Sequence, residues 1–157
     1  MNNLNLFVKS VQFQNFMSEI DELGFDGKDE INARPEDETH YLKLKPCDGI
    51  DGITLELSID LASGKEGQGE SVLAWGIIDV SGAPGLFIDE GMEYMYVTLH
   101  QNVEKMVQQV YAGIDSIAYE DGHKTRYRDK FSAKKIYLFC EKLIELKKIE
   151  EEFNSKL

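Results

Sequence analysis

The chain has 157 residues, of which 42% are hydrophobic, with 17 Lys+Arg against 29 Asp+Glu. That length suits one domain with a sizeable core, and the apolar content excludes a chain disordered throughout. A formal charge of −12 opposes general binding of a polyanion, and the two cysteines, Cys47 and Cys140, cannot by themselves build a disulfide framework or a four-ligand zinc site.

The opening residues MNNLNLF lack a basic segment and a long apolar stretch, so no secretory signal is expected. Leu4, Leu6 and Val8 alternate, which fits a short strand or an early helix start. Val11 to Leu23 is predicted helical from the stripe at 13, 16, 17, 20 and 23. Gly24 stands where a left-handed cap belongs, with Ile20 and Phe25 placed for a Schellman-type ending. Asp26 to Thr39, with Pro35 and Glu36-Asp37-Glu38, reads as an acidic loop.

Strands are expected at Tyr41 to Lys45 and Ile53 to Leu61, joined by the turn-like Asp48 to Gly52. In the second, Ile53, Leu55, Leu57, Ile59 and Leu61 alternate with Thr54, Glu56, Ser58 and Asp60, which predicts one buried face and one solvated face. Ala62 to Glu70 is a glycine-containing connection, and Ser71 to Val80 is apolar on both faces, the pattern of a central strand. The longest apolar run, Val72 to Ile78, is seven residues, far short of the roughly 18 that a membrane span needs. A turn at Ser81 to Gly85, a short strand at Leu86 to Ile88 and another at Tyr94 to Leu99 complete a mainly antiparallel sheet.

The period then changes to helical: Val103, Met106, Val107, Val110, Ile114 and Ile117 form one stripe after the N-cap candidate Asn102. Gly113 either ends this helix or sits inside it at a cost of about 1 kcal/mol. Ser132 is placed to cap a last helix that buries Ile136, Phe139, Cys140, Leu143, Leu146, Ile149 and Phe153. Glu150 to Glu152 oppose its dipole, so its end is expected to fray. The fold class expected is α+β, one domain over residues 1–157: an N-terminal helix, an antiparallel sheet of four to five strands, and two C-terminal helices packed on the sheet. The expected core contains Phe16, Ile20, Leu55, Leu57, Ile59, Leu73, Ile77, Val107, Val110, Ile136, Phe139 and Leu143.

No motif assigns catalysis. His40, His100 and His123 are far apart, without a ligand-pair spacing, and no metal or cofactor is expected. Gly64 to Gly69 lacks the Lys-Ser/Thr ending of a phosphate loop and leads into a strand, where the anion-binding helix terminus is missing. The Asp48 to Gly52 turn lacks the ligands of a calcium loop. Cys140 falls on an apolar helix stripe, where cysteine acts as a small hydrophobe. The basic cluster His123 to Lys130, with Lys134 and Lys135, is read as a counterpart to the acidic N-terminal part and not as a nucleic-acid site.

Charge carries the functional expectation. Up to His100 there are 19 acids and 6 bases, a balance of −13, whereas Gln101 to Leu157 balances at +1. Such asymmetry points to a partner of opposite sign. The expected function is a non-enzymatic, cytoplasmic protein-binding module, an inhibitor or immunity-type protein that blocks a basic toxin, nuclease or defence enzyme, without direct nucleic-acid or membrane contact. The partner-binding candidates are Glu36, Asp37, Glu38, Glu56, Asp60, Asp89, Glu90, Glu93, Tyr94 and Tyr96. Tyr94 and Tyr96 share a strand face with Met92, a composition suited to an interface core. The alternatives are an acidic secretion chaperone for an effector segment, which would be a stable homodimer, and a small metal-dependent hydrolase using Asp/Glu and His.

Overall fold

The computed structural model describes residues 3–22, 40–44, 54–62, 71–79, 94–117 and 133–157. The N-terminal region is two helices, α1 (Asn3–Val8) and α2 (Val11–Glu22). Ser10 divides them. Its hydroxyl donates to the Phe7 carbonyl at 2.7 Å and accepts the Phe13 amide at 3.3 Å, the bond of an N-cap side chain to the third helical residue. The alternating Leu4, Leu6 and Val8 therefore form the early helix, not a strand. The Gly24 ending, the acidic loop and the expected strand at Leu86 to Ile88 lie outside the described residues.

Strands β1 (His40–Leu44), β2 (Thr54–Ala62), β3 (Ser71–Asp79) and β4 (Tyr94–Val97) follow, each antiparallel to its neighbour in chain order. Two helices complete the described chain, α3 (Val103–Ile117) and α4 (Ala133–Ser155). The result is a mixed helix and strand fold with the C-terminal helices on an antiparallel sheet. Asn102 caps α3 as expected: its Oδ1 accepts the Lys105 amide at 3.2 Å.

Register sorts the strand residues onto two faces. Leu55 stands opposite Ile78, Leu57 opposite Gly76 and Ile59 opposite Ala74, while Gly76 and Ile78 also meet Val97 and Met95. This face joins the buried sides of all four helices in one core, including Leu4, Phe7, Phe16, Ile20, Met106, Val110, Ile114, Ile136, Phe139 and Leu143. Phe7 is an aromatic hinge between elements, its ring centroid 5.2 Å from Phe13 and 5.3 Å from Phe153. Three expected core positions need correction. Leu73 and Ile77 belong to the other face of β3 and are only half-buried, with Val72, Ala74 and Ile78 taking the core side. Val107 is half-buried at the core's rim. A strand apolar on both faces carries no parity signal of its own; the register with β2 sets it.

Two glycines bring helices close to the sheet. A Cβ on Gly76 would lie 2.7 Å from Leu143 Cδ2 and 3.1 Å from Phe139 Cζ, so α4 rests directly on the β3 backbone there. Gly113 lies inside α3, and a Cβ there would come within 2.9 Å of both Ile78 Cδ1 and Met95 Sδ. Its interior position settles the choice left open by the sequence.

The end of α4 corrects the expectation of fraying. β4 pairs only with Gly76 to Asp79, so among the described residues the earlier half of that edge of β3 has no partner strand. Polar side chains of α4 take its place. Asn154 Oδ1 accepts the Val72 amide at 2.9 Å, and its Nδ2 donates to the Val72 carbonyl at 2.8 Å. Glu150 Oε1 accepts the Ala74 amide at 3.3 Å and is paired with Lys147 Nζ at 2.7 Å. Backbone groups at a sheet edge need partners when water is excluded, and these bonds outweigh the unfavourable dipole at the helix end.

Candidate functional site

The sheet face opposite the core holds the described part of the expected contact surface. On β2 this face carries Glu56, Ser58 and Asp60; register places them opposite Ile77, Trp75 and Leu73 of β3, and Ile77 opposite Tyr96 of β4. The Trp75 and Tyr96 ring centroids are 5.4 Å apart at 55°, a tilted aromatic pair. Tyr96 is 54% exposed, and Trp75 is half-buried.

The carboxylates on this face differ. Glu56 is only 6% exposed and Ser58 2%, so the face is not uniformly solvated as clean alternation implies, and Glu56 is not a surface contact. Alternation reports which residues share a face but not whether that face is covered, and β2 is covered on both sides. Asp60 is half-buried, and its Oδ1 accepts the Leu61 amide at 2.8 Å. Tyr94 takes its place in β4 opposite Asp79. Glu36, Asp37, Glu38, Asp89, Glu90 and Glu93 lie outside the described residues, as do His123 to Lys130. The structure thus brings Asp60 and Tyr96 onto one face and removes Glu56 from solvent.

A shallow cleft of about 180 Å³ lies where the segment after β4 meets α4, lined by Leu99, His100, Gln101, Ile144, Lys147 and Lys148, among others. Gln109 fixes the geometry of its histidine. Its Oε1 accepts the Thr98 amide, so its Nε2 faces His100 Nε2, 3.3 Å away. Among the described residues, no group of three or more His, Cys, Asp or Glu could hold a metal ion. Cys140 is buried, and burial pushes its thiol up to about 12, which keeps it a protonated core side chain and not a nucleophile.

The charges of α4 are largely spent within the molecule. Lys142, 8% exposed, donates to Glu19 of α2 and to Glu145, each at 2.8 Å, with its Nζ 5.8 Å from the Phe16 ring centroid. Burial alone would lower the Lys142 ammonium, but its bonds to Glu145 and Glu19 outweigh this and hold it above the usual lysine range. The Lys142 bond lowers Glu19, whereas burial leads in raising Glu145. Glu150 pairs with Lys147, and Glu152 lies 3.5 Å from Lys156. Sequence reasoning missed Trp75, Lys142, Glu150 and Asn154. The signal available was a polar residue interrupting the α4 stripe, although that alone names no partner.

No helix among the described residues is long and apolar enough to cross a membrane. Comparison with protein-family models, with curated proteins and with solved structures finds no match to the chain.

Proposed function

We propose that the protein is a non-enzymatic, acidic protein-binding module, an inhibitor or immunity-type protein that occludes a basic, nucleic-acid-handling toxin or defence enzyme. The observation that carries this reading is the division of charge. Residues up to His100 balance at −13, while Glu145, Glu150 and Glu152 of α4 are matched by lysines of the same helix. Lys147 and Lys156 are therefore occupied by acids of α4, while Lys142, shared between Glu145 and Glu19 of α2, offsets a single acid of the first two thirds of the chain.

Proteins that hold phosphates are cationic, because neutralising phosphate charge supplies much of their affinity. A small acidic blocker gains from the same field. Steering raises association rates by roughly 10- to 1,000-fold over a neutral pair and falls steeply with added salt. The contacts proposed are Glu36, Asp37, Glu38, Asp89, Glu90 and Glu93, together with Asp60, Tyr94 and Tyr96; Glu56, being buried, is not among them.

The test starts from the immobilised protein, native lysate at low salt and elution by a salt gradient, followed by identification of the retained protein. Association of the purified pair is then timed against variants with each acidic triplet changed to lysine. A slower association of about tenfold or more, with a flatter salt dependence, supports the reading. Capture and salt dependence unaffected by both reversals would refute it.

A further inference from the structure

The shallow cleft beside α4 carries charges that the fold does not use. Ile144, Lys148 and Glu151 recur at helical spacing and line it from one side of α4, while Leu99, His100 and Gln101 line it from the segment after β4. Lys147 also borders it but spends its charge on the buried Glu150, 2.7 Å away. Lys148 and Glu151 differ: both are exposed, and neither side chain is ion-paired or hydrogen-bonded in the structure. Three residues apart on a helix, their Cβ atoms stand about 5–6 Å from each other. The apolar lining is Leu99, 40% exposed, and Ile144, which packs against the core. His100 is held in contact with Gln109, 3.3 Å away.

Charge and size select the occupant. A simple anion would meet Glu151 as well as Lys148, and a simple cation would meet both lysines. An uncharged apolar molecule would strip water from Lys148 and Glu151 without compensation. A zwitterion with an apolar side chain satisfies every part of the lining. An α-amino acid carries its two charges on groups attached to one carbon, a separation that a lysine and a glutamate one turn apart can span. The volume of about 180 Å³ equals that of about six waters and falls below the range of drug-sized sites, which suits a small metabolite.

We propose that this cleft binds a free α-amino acid with an aliphatic side chain. Its carboxylate pairs with Lys148, its ammonium with Glu151, and its side chain lies against Leu99 and Ile144. The site shares no residue with the contacts proposed for a basic partner, so the two readings stand or fall separately.

The full chain is titrated with L-leucine, N-acetyl-leucine and leucinamide, with binding followed by calorimetry and the site by the His100 ring resonances, assigned with His100→Gln. N-acetyl-leucine lacks the ammonium and mimics a peptide C-terminus; leucinamide lacks the carboxylate and mimics an N-terminus. Leucine should bind saturably with a Kd of about 1–10 mM, as expected of so small and open a site, and shift the His100 resonances in step. Each capped analogue should bind about two- to fivefold more weakly, and Lys148→Gln and Glu151→Gln should each weaken leucine by a similar factor. Absence of saturable leucine binding would overturn the proposal. Either analogue binding as well as leucine would overturn the free amino acid as the ligand and point to a peptide terminus. Binding that leaves the His100 resonances unmoved, or that ignores both substitutions, would place the ligand elsewhere and also overturn it. Should a variant lose its fold by circular dichroism, the analogue series and the His100 shifts in the unaltered chain decide the matter.

Discussion

Adding one methyl group at Gly76 should destabilise the protein, although alanine is ordinarily the easier residue to fold. Two effects oppose each other. Alanine restricts the unfolded chain, which favours the folded state by about 0.5–1 kcal/mol where the native backbone accepts it. Against this, the new Cβ would lie 2.7 Å from Leu143 Cδ2, 3.1 Å from Phe139 Cζ and 3.5 Å from Val97 Cβ. Leu143 and Phe139 are 2% and 0% exposed, so neither has open space to move into. Overpacking of this kind costs roughly 1–3 kcal/mol, leaving a net loss of about 1–2 kcal/mol and a fall in Tm of about 3–6 °C. Urea unfolding followed by far-UV circular dichroism measures the loss as a lower midpoint at unchanged slope. A double-mutant cycle isolates the cause. Leu143→Ala alone should cost roughly 2–5 kcal/mol by leaving a cavity. In Gly76→Ala/Leu143→Ala the added methyl enters the vacated space, so the double variant should be at least about 1 kcal/mol more stable than the sum of the single losses. If Gly76→Ala is as stable as the parent and the cycle shows no coupling, close helix–sheet contact is not what requires glycine here.

Gly113→Ala should be near neutral, within about 1 kcal/mol by the same urea assay. The helix-interior gain of about 1 kcal/mol is set against clashes only with the far ends of the Ile78 and Met95 side chains. Asn154→Ala should cost about 1–2 kcal/mol, because the Val72 amide and carbonyl lose their partners, and hydrogen exchange at Val72 should speed up. Lys142→Met keeps the apolar stem but removes both ion pairs; with Glu19 half-exposed, the loss near neutral pH should be about 1 kcal/mol. The pH dependence of that difference has a definite sign. Lys142 is raised on folding, so its contribution is complete below the usual lysine range and disappears as pH rises through its folded value. Glu19 is lowered, so its contribution is present above the usual carboxylate range and disappears on acidification, while the raised Glu145 opposes it there. Unfolding midpoints of parent and variant measured across pH should therefore converge above the lysine range; a constant gap would refute the assignment.

Much of the local structure was legible without coordinates. The alternation of Leu55, Leu57 and Ile59 identified a core face of β2, and all three are fully buried. Asn102 announced α3, and the α4 stripe named Ile136, Phe139, Cys140, Leu143 and Leu146, all buried. The candidate site was less legible. Tyr96 could be placed on an exposed strand face from its neighbours, but Glu56 looked equally exposed and is buried. The sequence contains no sign that Glu56 and Ser58 on that face are buried.

By itself, then, the sequence determined the elements whose side chains repeat with one clear period, and the concentration of negative charge ahead of residue 100, because both are sums over neighbours in the chain. Tertiary structure alone decided which side of β3 meets the core, since that strand is apolar on both faces and takes its parity from pairing with β2. It also decided the fate of the polar residues on α4. Asn154 meets Val72 across 82 residues of chain, Glu150 meets Ala74 across 76, and Lys142 meets Glu19 across 123. A hydrogen bond spanning such distances depends on how helices settle on the sheet, and no local pattern encodes that position.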